Sequence, residues 1–177
     1  MVRPVYDALS LSGDQFWERF GRAETSTVDF KELLPKAGKL QEPLVAFANT
    51  RGGVVVCGVD EQRPRSVVGI DWGQEQSERV QEAARSTQPP LHLLSRLIDV
   101  DGRTVALIEV EAVERGWVQT SDGRLLVRAG PTNRALVGDQ LLRFVQERGA
   151  DPAEDQPVRG SSLDDLRADT LLSLIHI

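Results

Sequence analysis

Apolar residues recur along the chain at two spacings, one helical and one extended. Phe16, Trp17 and Phe20 lie three and four apart behind Ser12, so residues 12–20 read as a short helix with Ser12 as N-cap. In residues 25–31, Val28 and Phe30 fall on one face of a strand and Asp29 and Lys31 on the other. Leu33, Leu34 and Pro35 end that strand. Leu40, Leu44, Phe47 and Ala48 form a buried stripe, which predicts a helix over 40–50 with Pro43 confined to its first turn. Gly52-Gly53 stops the helix. Val54 to Val59 is apolar at both parities, the pattern of a central strand covered on both faces. Asp60 stands where that strand leaves the sheet.

Beyond a loop from Glu61 to Arg65, Val67 to Ile70 reads as a short strand. Residues 74–87 read as a helix with Val80, Ala83, Ala84 and Thr87 on one side, broken by Pro89-Pro90. Residues 93–100 and 103–110 flank Asp101-Gly102, a strong hairpin signal. Residues 118–120 and 124–128 flank Ser121-Asp122-Gly123 and predict a second hairpin, followed by a loop over 129–133. A last helix is expected over 138–148, with Leu141, Leu142 and Val145 inward. The order of elements does not alternate strictly, which disfavours a doubly wound parallel sheet. The expected fold is one mixed α/β domain over residues 10–149, with a largely antiparallel sheet and packed helices. Residues 150–162 read as an acidic linker. Residues 163–177 read as a truncated or non-native segment, with 172–177 resembling translated sequencing adapter.

Composition narrows the class. The 177 residues are 40% hydrophobic and 27% charged, as in a soluble globular protein. A lone cysteine, Cys57, excludes a disulfide framework and a cysteine zinc finger, and it sits where a small buried hydrophobe is expected. His92 and His176 are too few for a histidine metal cluster. The longest apolar run is far short of a membrane span, and the N-terminus lacks the apolar core of a signal peptide, so a cytoplasmic setting is expected. Net charge is −6, but from Ala150 onward there are six acids against two arginines. The folded part is therefore near neutral and can carry a local basic face. No P-loop, dinucleotide fingerprint or nucleophile elbow is present.

Four blocks carry candidate chemistry: Glu24 with Asp29-Phe30-Lys31; Ala46-Phe47-Ala48-Asn49-Thr50-Arg51-Gly52-Gly53; Gly58-Val59-Asp60; and Leu126 to Arg134. In this order they resemble the Schlafen-type AlbA domain family, from about Glu24 to about Leu136. Asp29 departs from the family's usual glutamate, keeping the charge at a shorter reach. The resemblance implies a nucleic-acid-binding domain of a bacterial transcriptional regulator, with DNA or RNA as partner and a further C-terminal domain; a homodimer is a separate expectation, which the near-neutral folded part and acidic tail fit.

Two functional readings follow, beside a third in which the domain only dimerises or docks another protein. In the first, Lys31, Asn49, Thr50, Arg51, Gly52, Gly53, Arg128, Asn133 and Arg134 contact the phosphate backbone. Gly52-Gly53 and Gly130 would let the backbone approach a ligand, Arg63 and Arg65 would add mobile loop charge, and no cofactor is needed. In the second, implied by similarity to Schlafen endoribonucleases, Glu24, Asp29 and Asp60 hold Mg²⁺ or Mn²⁺ and cleave RNA. Convergence of those acids requires Glu24 to precede the strand or follow a bulge. The simplest structural alternatives are an Asp29–Lys31 pair and a double glycine that only stops a helix.

Overall fold

A computed structural model describes residues 5–149 except Arg63. The expected linker and C-terminal segment lie outside the described residues. The elements run β1 (Val5–Leu11), α1 (Gly13–Phe20), β2 (Val28–Lys31), α2 (Ala37–Ala48), β3 (Gly53–Cys57) and α3 (Gln74–Arg85). They continue with β4 (Leu93–Val100), β5 (Arg103–Val110), β6 (Leu126–Ala129), β7 (Thr132–Ala135) and α4 (Gly138–Gly149).

The main sheet has five strands in the order β1-β4-β5-β3-β2, and β6 pairs with β7 in a separate ribbon. β4–β5 and β3–β5 are antiparallel, as is the ribbon, while β1–β4 and β2–β3 are parallel. The fold is thus mixed α/β, as the pattern predicts. β1 was not legible in that pattern; it joins the sheet at its edge beside β4.

Burial of β3 on both sides explains its continuous apolar run. Val55 and Cys57 pack with Leu40, Leu44 and Phe47 of α2 and with Ile108, on one side of the sheet. Val56 packs on the other with Phe16, Phe20, Phe30 and Leu107. Helix α1 supplies Phe16 and Phe20 to that second layer. It is entered by a capping box in which Gln15 N donates to Ser12 Oγ at 3.3 Å and Ser12 N to Gln15 Oε1 at 2.9 Å.

Four expectations change. Helix α2 starts at Ala37, so Pro43 lies in its interior and not in its first turn. An interior proline costs about 3 kcal/mol. Burying Leu40, Leu44 and Phe47 at about 1.5–3 kcal/mol each offsets that cost.

The second hairpin is displaced. Residues 120–124 close a turn, with Thr120 N donating to Arg124 O at 3.0 Å, but β6 takes β7 as its partner. The reason is Asn49, whose amide bonds both the N–H and the carbonyl of Val118, each at 2.8 Å, and the Leu126 carbonyl at 2.9 Å. A side chain therefore holds backbone groups that a strand partner would otherwise take. Gly130, at φ 59°, opens the two-residue β6–β7 loop with the positive φ such loops favour.

The strand expected at 67–70 reduces to a single bridge between Val59 and Val67. Helix α4 buries none of its residues: Leu142 is 60% exposed, and Leu141 and Val145 are only half-buried. It is tied down instead by Arg148, which donates to the carbonyls of Val113 at 2.7 Å and Asn49 at 3.1 Å.

Candidate nucleic-acid interface

Blocks far apart in sequence meet at edge strand β2. The pleat turns Phe30 into the α1 layer and Asp29 toward α2. Across from Asp29, β6 delivers Arg128, which is buried with its guanidinium 4.9 Å from the Phe47 ring. Its Nη1 donates to Asp29 Oδ1 at 3.0 Å and to Asn133 Oδ1 at 2.7 Å. Its Nε donates to the Thr25 carbonyl at 3.1 Å and its Nη2 to the Val28 carbonyl at 3.2 Å. The backbone N–H of Arg128 donates to Thr50 Oγ1 at 2.9 Å, and that hydroxyl donates to the Ala46 carbonyl at 2.7 Å. The other carboxylate oxygen of Asp29 faces Lys31 Nζ at 2.7 Å.

The first, second and last sequence blocks thus converge on one buried ion-paired hub. The convergence points inward. Asn49 is 1% exposed and Arg128 5%, and both are bonded to the protein itself. Thr50 and Asn133 serve the same hub. The double glycine is also filled by the protein. A Cβ on Gly52 would stand 2.8 Å from the Val110 carbonyl oxygen, and one on Gly53 would stand 2.6 Å from the Phe47 ring. The close approach these glycines permit is therefore to β5 and α2, not to a ligand. A Cβ on Gly130 would meet nothing within 4 Å.

Three of the expected donors keep a free or partly free head. Arg51 and Arg134 are exposed and, among the described residues, have no hydrogen-bond or ion-pair partner. Register places Arg134 opposite Val127, on the ribbon face away from Asn133. Lys31 is 25% exposed at its side chain and shared with Asp29. Arg51, Gly52 and Gly53 line a cleft of about 850 Å³ together with Arg19, Glu109 and Glu111.

The three carboxylates proposed for a metal do not assemble. Glu24 does precede β2, but its Oε1 is paired with Arg65 Nη2 at 3.2 Å. Asp29 points the other way, into the hub. Asp60 Oδ1 accepts the Gln62 N–H at 2.8 Å and closes a local turn. Among the described residues no group of three or more His, Cys, Asp or Glu is placed to hold an ion. Two of the three acids are neutralised by arginines, so the residues do not fit a divalent metal. Cys57 is equally unsuited to chemistry, because burial pushes its thiol up to about 12.

Arg65 corrects another expectation. It is not mobile loop charge but 7% exposed, 5.2 Å over the Phe30 ring, with Nη1 donating to the Arg22 carbonyl at 3.1 Å. Arg63 lies outside the described residues. Arg22 and Arg103 share a cleft with Arg65 and were not singled out by the sequence. No spacing links positions 22, 65 and 103, since only the folded chain brings them together.

The family profile described as Schlafen, AlbA_2 matches residues 24–137. No curated protein matches the chain. Among solved structures, a Corynebacterium diphtheriae protein is similar at TM-score 0.52 and 22% identity, over 83% of this chain and 28% of its own length. An N-terminal domain from Nitrosomonas europaea, from a protein named as an ATP-dependent DNA helicase RecG-related protein, is similar at TM-score 0.50 and 19% identity. That match covers 73% of this chain and 92% of the other. At these identities the two structures share the fold.

Proposed function

Since the chain belongs to the Schlafen, AlbA_2 family, we propose that it is a nucleic-acid-binding domain that contacts mainly the phosphate backbone. The observation that carries this reading is Arg51, an exposed guanidinium without a partner among the described residues, in the turn that follows α2 and lining the large cleft. Arg19 adds a second exposed cation to the lining of that cleft, and Lys31 and Arg134 supply further donors. Such groups suit phosphate oxygens. Glu109 and Glu111 share the lining, so a strand rests at the arginine rim and is not drawn deep. The buried Arg128–Asp29 pair holds the β6–β7 ribbon beside α2, and Asn49, Thr50 and Asn133 support it.

The likeness to the N-terminal domain of a protein named for a DNA helicase supports the same reading. We place the domain within a longer bacterial transcriptional regulator, acting on DNA or RNA without a metal or cofactor.

The test is fluorescence anisotropy with labelled duplex DNA and structured RNA across a salt series. The expected result is an affinity that falls linearly on a log–log plot against salt. Arg51→Ala and Arg134→Ala each lower affinity and flatten the slope by roughly one released counterion. Chelator leaves binding unchanged, and the RNA stays intact. Affinity indifferent to ionic strength would overturn the reading.

A further inference from the structure

We propose that a second cleft, framed by Arg22, Arg65 and Arg103, is a phosphate-binding subsite. It lies away from the double glycine, between the start of α1, the β4–β5 turn and the segment 65–67, and has a volume of about 290 Å³. Three guanidiniums line it against one carboxylate, Asp101. Asp101 is already engaged, its Oδ2 accepting the Gly13 N–H at 2.9 Å.

The arginines are held in place before any ligand arrives. Arg65 and Arg22 each donate Nη1 to the other's carbonyl at 3.1 Å. Arg22 stacks on Trp17 at 4.5 Å, and Arg103 Nη1 donates to the Val67 carbonyl. Like charges gathered around one cleft repel, and a bound anion would relieve that repulsion. Glu24, on Arg65 Nη2 at 3.2 Å, is the one acid paired to this group among the described residues.

Arg65 adds an unmet donor to this group of cations. Arg65 is 7% exposed, yet its Nε is buried without a hydrogen-bond partner. Buried guanidinium nitrogens are normally satisfied. A phosphate group supplies several acceptor oxygens in the geometry that guanidinium forks match.

The source of the phosphate rests on the nucleic-acid reading above: a backbone phosphate held here would give the strand a second anchor apart from Arg51. The anion chemistry stands without it. The test titrates the whole chain separately with inorganic phosphate, followed by calorimetry, and with a labelled oligonucleotide. Arg22→Ala and Arg103→Ala serve as variants at exposed positions. Glu24→Gln removes the competing carboxylate and is expected to tighten phosphate several-fold, a gain that misfolding cannot imitate.

Phosphate binding lost in both arginine variants, with oligonucleotide affinity reduced about tenfold, supports the subsite and its source. Phosphate bound through these arginines without any oligonucleotide binding keeps the anion site and overturns the strand as its source. Oligonucleotide binding unchanged in both arginine variants, with no phosphate bound by the native chain, overturns the subsite and leaves the nucleic-acid reading standing. Silence toward both ligands overturns both.

Discussion

Two buried arginines serve the two faces of β2, and they differ in what their nitrogens are given. Arg128 lies over Phe47 and Arg65 over Phe30, at 4.9 and 5.2 Å. Arg128 makes four side-chain hydrogen bonds, one of them to the buried carboxylate of Asp29. Arg65 makes two, to the Arg22 carbonyl and to Glu24, and its Nε has none. The first charge is answered inside the protein and ties a ribbon to a sheet. The second is positioned but only partly answered, which suits a ligand. Burial and stacking look alike in both; the unfilled N–H separates a framework arginine from a binding one.

Arg128→Met is the sharpest way to break the contrast. It strands Asp29 with Lys31 alone and is expected to cost about 3–5 kcal/mol in urea unfolding. A loss below about 1 kcal/mol would mean the hub is not what holds the ribbon. Asn49→Ala comes next. It leaves the backbone of Val118 and Leu126 without partners and should cost about 2–3 kcal/mol, with faster hydrogen exchange at the Val118 amide.

On the other face, Arg65→Met should cost about 1 kcal/mol or less, because its partner Glu24 is 22% exposed and can be solvated. A loss as large as that of Arg128→Met would erase the distinction. The smallest effect is at Cys57. Its thiol is raised from about 9 to about 12 by burial, so folding favours the neutral form. That contribution is intact below about pH 9 and fades as pH rises toward 12. At pH 8 iodoacetamide should leave native Cys57 unmodified and label it once urea unfolds the chain. Native labelling would show that the strand opens.

Legibility followed locality. The β4–β5 hairpin around Asp101-Gly102, the α1 cap at Ser12 and the two-sided burial of β3 were readable because each depends on neighbours in sequence. The β6–β7 ribbon was misplaced because Asn49, some seventy residues upstream, takes the backbone of Val118. The inward stripe expected of α4 failed because amphipathic spacing says which residues share a face, not that the face is covered. Within the site, residue types at Asp29, Asn49 and Arg128 were legible as a set, but their direction was not. Charged and amide side chains serve equally well as ligand contacts or as buried ties.

The amino-acid order alone determined the mixed α/β class, most of the elements and the family, since each is written in short-range period, turn chemistry and motif. Tertiary structure alone decided that Asp29 meets Arg128, that Glu24 meets Arg65, and that Arg22, Arg65 and Arg103 share one cleft. Those are long-range pairings. Electrostatic partnership depends on distance and burial in space, and neither is encoded at any fixed separation along the chain.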